Sequence, residues 1–198
     1  MNRGGIDMAN HCFTTYKITG SQKAVKNLWD TLVSMGVNAE CVSLSVLAEH
    51  YGIDYENRKI SVRGCIFFAE YDSDENLLTL KTMTAWLGCH KFFWALNVVL
   101  GDEMSISYWE KEISAGVFCI HDEGEFFTAK CCVYSYGDPF ENLLYVDFDS
   151  IEDAIKEWCS KMGVERDDKS EEEMIDYING YDYGEMDSYF EIQKYIIE

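Results

Sequence analysis

The sequence predicts an α+β protein built on a βαββαβ antiparallel sandwich. Three observations carry this reading. Two apolar stripes of helical period lie at residues 25–32 and 92–100. Runs of alternating β-branched and aromatic residues flank each stripe. No glycine-, serine- or proline-rich stretch divides the chain, and its one proline is Pro139.

The elements follow in order. Cys12–Thr19 is β-branched and aromatic and Gly20 closes it, which predicts a strand. Ser21 can cap a helix whose Val25, Leu28, Trp29 and Leu32 share one face, with Gly36 as its stop. A short insertion helix follows, with Leu44, Leu47, Ala48 and Tyr51 on one side. Lys59–Tyr71 reads as a long strand bent or bulged at Gly64, and Leu77–Thr84 as its hairpin partner across the polar turn 72–76. Phe92, Phe93, Leu96, Val99 and Leu100 make the second long helix, and Met104–Lys111 alternates as a strand. Two right-handed crossovers then place both helices on one face of one sheet, a ferredoxin-like topology.

Beyond residue 111, strands are expected at Gly116–His121, Phe126–Tyr136 and Leu143–Phe148. Asp149 with Glu152 three residues on gives a capping box for a helix carrying Ile151, Ile155, Trp158, Cys159 and Met162. Helices are also expected at Glu171–Ile178 and Met186–Ile197. The division is therefore 8–111, the ferredoxin-like core, and 112–198, additional strands and an acidic C-terminal helical extension packed on it as one compact unit.

Net charge is −20, from 36 acidic and 16 basic residues. Residues 147–198 hold 17 acids and 5 bases. A field of that sign repels phosphate backbones and anionic membranes and favours basic partners. No direct binding to nucleic acid or membrane is expected, and the partner expected is an unknown protein, with a basic one favoured by the charge. Apolar runs fall short of the ~20 residues of a membrane span, and residues 1–13 have no apolar signal core. The run offers two starts, Met1 and Met8; from Met8, residues 1–7 would be an unstructured leader. A cytoplasmic location follows as the expectation, with the eight cysteines reduced.

Met8-Ala9-Asn10-His11-Cys12, leading straight into the first strand, resembles the start of the YubB-like ferredoxin-fold family. These are mostly uncharacterised bacterial proteins associated with plasmids, phages and other mobile elements. Thr84-Ala85-Trp86, the run Gly101–Tyr108 and Gly137-Asp138-Pro139-Phe140 are similar to that family as well. His11 stands where members often have Trp. The resemblance spans residues 8–140. It implies the same fold and brings no catalytic residues.

No Cys-x-x-Cys pair occurs, which argues against zinc ribbons and iron–sulfur clusters. Cys119-x-His121 shares one strand face, but spacing groups no further ligands from His11, Cys12, Cys89, His90, Cys131 or Cys132 with it. Cys89/His90 is a poor nucleophile–base dyad, because adjacent side chains diverge. Asp147-x-Asp149 with Glu152 and Asp153 lacks the glycine and distal glutamate of a calcium loop. Leu47–Ile53 looks like the first helix of a helix-turn-helix, but no recognition helix follows. No catalytic, cofactor or metal residue is assigned, and the chain is not expected to be an enzyme.

The open sheet face is the possible binding surface. If Tyr16 and Ile18 face the helices, Phe13, Phe67 and Trp109 decorate the other side. Bases stack on such faces in RNA-recognition domains. Coverage by later elements is the preferred reading, since large exposed aromatic patches are rare. The functional expectation is a non-enzymatic interaction or accessory protein of mobile-element origin, acting by protein–protein contacts. The alternatives are an acidic nucleic-acid mimic that occupies a DNA-binding protein, and a small Cys/His enzyme.

Overall fold

The computed structural model describes residues 11–166, 168–184 and 187–198. The choice between Met1 and Met8, and the Met8–Asn10 part of the motif, lie outside the described residues. The fold is mixed α+β, with five helices and sheets of seven and three strands among the described residues. The elements are β1 (His11–Gly20), α1 (Gln22–Ser34), β2 (Val42–Ser43), α2 (Leu44–His50), β3 (Gly64–Asp72), β4 (Leu77–Ala85), α3 (His90–Val99) and β5 (Met104–Glu112). They continue with β6 (Val117–His121), β7 (Cys131–Tyr136), β8 (Leu143–Phe148), α4 (Ile151–Met162), α5 (Glu171–Asn179), β9 (Tyr189–Lys194) and β10 (Ile196–Ile197). They group into two compact units, one of residues up to Phe126 with Ile197 and Glu198, the other Phe127–Ile196.

In the first unit the strand order is β10-β6-β5-β1-β4-β3-β2. Antiparallel registers join β1 to β4 and β5, β3 to β2 and β4, and β5 to β6. The period of two decides what is buried. Cys12, Thr14, Tyr16 and Ile18 of β1 are buried, while Phe13, Thr15 and Lys17 point the other way. Tyr16 pairs with Leu80 and Tyr108, and Ile18 with Leu78 and Ile106. Both long helices add to that same core, α1 with Val25, Leu28 and Leu32, α3 with Phe92, Phe93 and Leu96. Each such side chain contributes roughly 1.5–3 kcal/mol by leaving water. Ser21 caps α1 by accepting from the Ala24 amide at 3.2 Å. Gly20 has φ +137°, and a Cβ there would meet the Glu103 carbonyl oxygen at 2.1 Å, so only glycine lets β1 end against β5.

In the second unit the order is β8-β7-β9, antiparallel throughout. Cys131 and Val133 of β7 and Phe190 and Ile192 of β9 share a core with Ile155 and Trp158 of α4 and Met174, Ile175 and Ile178 of α5. Ser170 and Glu173 form a full capping box at the start of α5.

Four local expectations are corrected. The strand expected over Lys59–Tyr71 starts only at Gly64. Lys59 takes φ +53°, and the amides of Lys59 and Ile60 are spent on the carbonyls of Glu56 and Tyr55, so this segment is a turn. The bulge sits between Ile66 and Phe68, not at Gly64. The α4 cap is Ser150, which accepts from the Asp153 amide at 3.2 Å, one residue beyond the expected Asp149. The helix expected over Met186–Ile197 is absent from its described part, where Tyr189–Lys194 is strand β9. Phe190 and Ile192 are buried and Glu191 and Gln193 are not, a period of two that β7 satisfies by backbone pairing.

Candidate functional site

Pleating carries the aromatic surface of the first sheet. Phe13 and Trp109 lie on the side opposite the helices, since Thr15 pairs with Trp109 and Phe13 with Lys111. Phe67 follows the inward Ile66 in β3 and so lies on this side as well, where its ring meets Phe13 edge-on with centroids 6.5 Å apart. The structure thus brings Phe13 and Phe67 together, with Trp109 on the same face of β5, the strand beside that of Phe13. Phe13 is 48% exposed and Phe67 39%. Trp109 is half-buried. Sequence reading preferred a covered face; Phe13 and Phe67 lie open instead, while Phe118 and Ile120 on the same face of β6 are buried.

Lysines interleave these rings. Lys111 Nζ sits 4.4 Å from the Trp109 ring centre and Lys81 Nζ 5.2 Å from that of Phe68. Lys17 donates to Thr79 Oγ1 at 3.0 Å. Across β1, β4 and β5 the outward side chains are aromatic, neutral or lysine, and the acids Glu70 and Asp72 enter only at the end of β3. A strongly acidic chain thus carries a locally cationic aromatic face.

The helix side of the same sheet holds a polar network that the sequence reading missed. Glu110 is buried on β5, and its Oε2 lies 2.7 Å from His90 Nε2. The Gly88 amide donates to that oxygen at 2.8 Å, and Thr14 Oγ1 at 3.5 Å. With Nε2–H given to Glu110, His90 Nδ1 accepts from the Tyr16 hydroxyl at 3.0 Å. Tyr108 stacks on the imidazole with centroids 3.7 Å apart and donates to Glu198 Oε2 at 2.6 Å. Burial, then the Glu110 charge, pushes the Tyr16 phenol well above its ordinary range. Tyr108 is pushed up by burial first and then by Glu198, while the Tyr108 hydroxyl bond holds the Glu198 carboxyl below its ordinary value. The signal was an acid at an inward position of an alternating strand, Met104, Ile106, Tyr108, Glu110, which only a buried partner makes tolerable.

The cysteines do not join this network as nucleophiles. Both His90 nitrogens are taken by Tyr16 and Glu110, and Cys89 Sγ is directed to Ser61 Oγ at 3.8 Å. Cys119 and His121 face the helix side of β6, beside Glu110 and Tyr108 in register. Burial is the largest cause that raises Cys12, Cys119 and Cys131 to about 12 and Cys65 to about 11. Among the described residues no group of three or more His, Cys, Asp or Glu is placed to hold a metal. A groove of about 270 Å³ beside α3 is lined by Arg58, Ile60, Lys91, Trp94, Ala95 and Val98, without an imidazole, thiol or carboxylate for acid–base or nucleophilic work.

Thiol chemistry checks these environments. At pH 8 an alkylating reagent should label the exposed Cys41 first. A pKa of about 12 in place of 9.0 leaves Cys12, Cys119 and Cys131 with about a thousandfold less thiolate than an ordinary cysteine. Timed alkylation read by peptide mass spectrometry should show those three labelled only after denaturation. Labelling of Cys12 at the rate of Cys41 would contradict the burial described.

No helix among the described residues is long and apolar enough to cross a membrane. Comparison with protein-family models, with curated proteins and with solved structures finds no match to this chain.

Proposed function

We propose that this is a non-enzymatic interaction protein that holds a protein partner on the open face of its seven-stranded sheet, through Phe13, Phe67 and Trp109. The observation that carries the reading is the contact between two open aromatic rings, Phe13 and Phe67, on a face whose central strands bear only lysine as charge. Aromatic anchors ringed by polar groups are what interfaces use. The partner fitting this face presents apolar side chains with carboxylates. The −20 net charge does not forbid it, because charges beyond the ~8 Å screening length at physiological salt count little against lysines in contact. Spent imidazole nitrogens and raised thiols support the non-enzymatic part.

We infer further that β1-α1-β3-β4-α3-β5 is a ferredoxin-like βαββαβ unit. The order β5-β1-β4-β3 and the single core shared by α1 and α3 support this. The reading of the chain as a YubB-like protein of mobile-element origin rests on that order and on the short motifs given above. A cytoplasmic setting is in keeping with the eight free cysteines.

A second reading of the same face is a platform for single-stranded nucleic acid, favoured by the lysines over the Phe68 and Trp109 rings. One experiment separates the two. A labelled peptide of alternating glutamate and leucine, and a ten-nucleotide uridine strand, are titrated into the full chain at two salt concentrations. The peptide is expected to bind, and Phe13→Ser with Phe67→Ser to weaken it about tenfold, the effect of losing a modest anchor. Strand binding that falls steeply with salt and is lost in the same variant would establish the second reading instead. Peptide binding unchanged by the double variant would sink the assignment of this face.

A further inference from the structure

The outer face of the three-stranded sheet is built differently. Val133, Phe190 and Ile192 point to α4 and α5, and the alternate positions carry tyrosine. Tyr134 and Tyr136 come from β7, Tyr145 from β8 and Tyr189 from β9. Tyr134 stacks on Tyr145 with centroids 4.9 Å apart at 20°, and Tyr136 on Tyr189 at 5.8 Å and 21°. Tyr134 joins the two stacks, 5.8 Å from Tyr136 and 5.9 Å from Tyr189. The result is one continuous surface of four rings. Tyr136 is 38% exposed and the other three are half-buried.

We propose that these four tyrosines are a docking surface for an extended, arginine-bearing segment of a protein partner. The ring faces carry negative quadrupole density, which attracts cations. Glu191 pairs with Tyr134 in register on the same face, and it accepts from the Gln193 amide and the Tyr189 hydroxyl, both uncharged donors. Residues 147–198 add 17 acids against 5 bases. Charge thus selects a cationic partner and rejects phosphate backbones. Arginine fits better than lysine because its planar guanidinium stacks on rings and is more weakly hydrated. Geometry selects an extended segment. Alternate side chains of a strand repeat about every 6.6–6.8 Å, close to the 5.8 Å between Tyr134 and Tyr136. Tyrosine carries few rotatable bonds, so little side-chain entropy is lost on docking. This surface belongs to a different sheet from Phe13 and Phe67, and the two assignments stand or fall separately.

The test uses the full chain and a labelled ten-residue peptide of alternating arginine and serine. Lysine–serine and glutamate–serine peptides serve as comparisons, with anisotropy read at two salt concentrations. The arginine peptide is expected to bind at least threefold more tightly than the lysine peptide, and the glutamate peptide not at all. Tyr136→Ser with Tyr134→Ser should weaken the arginine peptide tenfold or more, and Glu191→Gln severalfold. Phe13→Ser should leave it unchanged. Tyrosine ring resonances of the unmutated chain should shift on adding the arginine peptide, a readout that needs no variant to fold. Equal binding of the arginine and lysine peptides, or ring resonances that do not move, would overturn the proposal in favour of a diffuse effect of net charge.

Discussion

Glu110→Ala is expected to destabilise the first unit by about 2–6 kcal/mol, since two buried donors would each lose an acceptor at about 1–3 kcal/mol apiece. The carboxylate is 3% exposed and accepts from the Gly88 amide and from His90. Alanine would strand both donors away from water, and a lost partner costs more than the bond contributed. Gly88 shows how closely the site is built, since a Cβ there would lie 2.1 Å from Glu110 Oε2. Glu110→Gln keeps the shape and one acceptor oxygen, so it should recover part of the loss. Urea midpoints followed by circular dichroism measure both variants. A change below about 1 kcal/mol for Glu110→Ala would mean that water already satisfies this group.

Trp158→Ala should cost the second unit about 3–5 kcal/mol, by cavity formation. The indole is fully buried, donates to the Tyr183 hydroxyl at 2.8 Å, and meets Tyr177 and Tyr181 edge-on at 5.8 and 5.2 Å. Domains of ~70 residues hold only about 3.5–10 kcal/mol in all, so this one change removes much of that margin. Amide exchange at Ile155, Ile178 and Phe190, all of the same core, should accelerate by two orders of magnitude or more. Trp158→Phe, which keeps a ring and drops the Nε1 donor, should cost less than half as much. Unchanged exchange at Ile178 in Trp158→Ala would remove the indole from the role of keystone.

The legible parts of the fold were those where period and local chemistry agree. Val25, Leu28 and Leu32 announced α1, and the alternation from Met104 to Lys111 announced β5. Reading failed where backbone geometry overrode composition. Ile60 and Val62 look like strand residues, yet a turn at Lys59 spends the Lys59 and Ile60 amides on the carbonyls of Glu56 and Tyr55. Tyr189–Lys194 fits helix and strand patterns alike over so short a run, and only β7, more than fifty residues earlier, decides it. Of the candidate surface, Phe13, Phe67 and Trp109 were readable from alternation, whereas the bulge that also puts Phe68 on that face is declared by no local residue. The Tyr16–His90–Glu110 chain joins three distant segments, so no spacing could display it.

One feature of connectivity bears on how the chain is made. Ile197 and Glu198 belong to the first unit, where the Glu198 amide donates to the Ile120 carbonyl at 2.9 Å and its carboxylate receives the Tyr108 hydroxyl. Seventy residues, 127–196, separate them from the rest of that unit. At about 5–20 residues per second of synthesis, that stretch takes roughly 4–14 s to emerge. For that interval β6 waits on the ribosome without its outer neighbour, and Tyr108 waits without its acceptor. A chain lacking residues 196–198 should therefore be more open to protease at β6 than the full chain, even with β1 to β5 already in place.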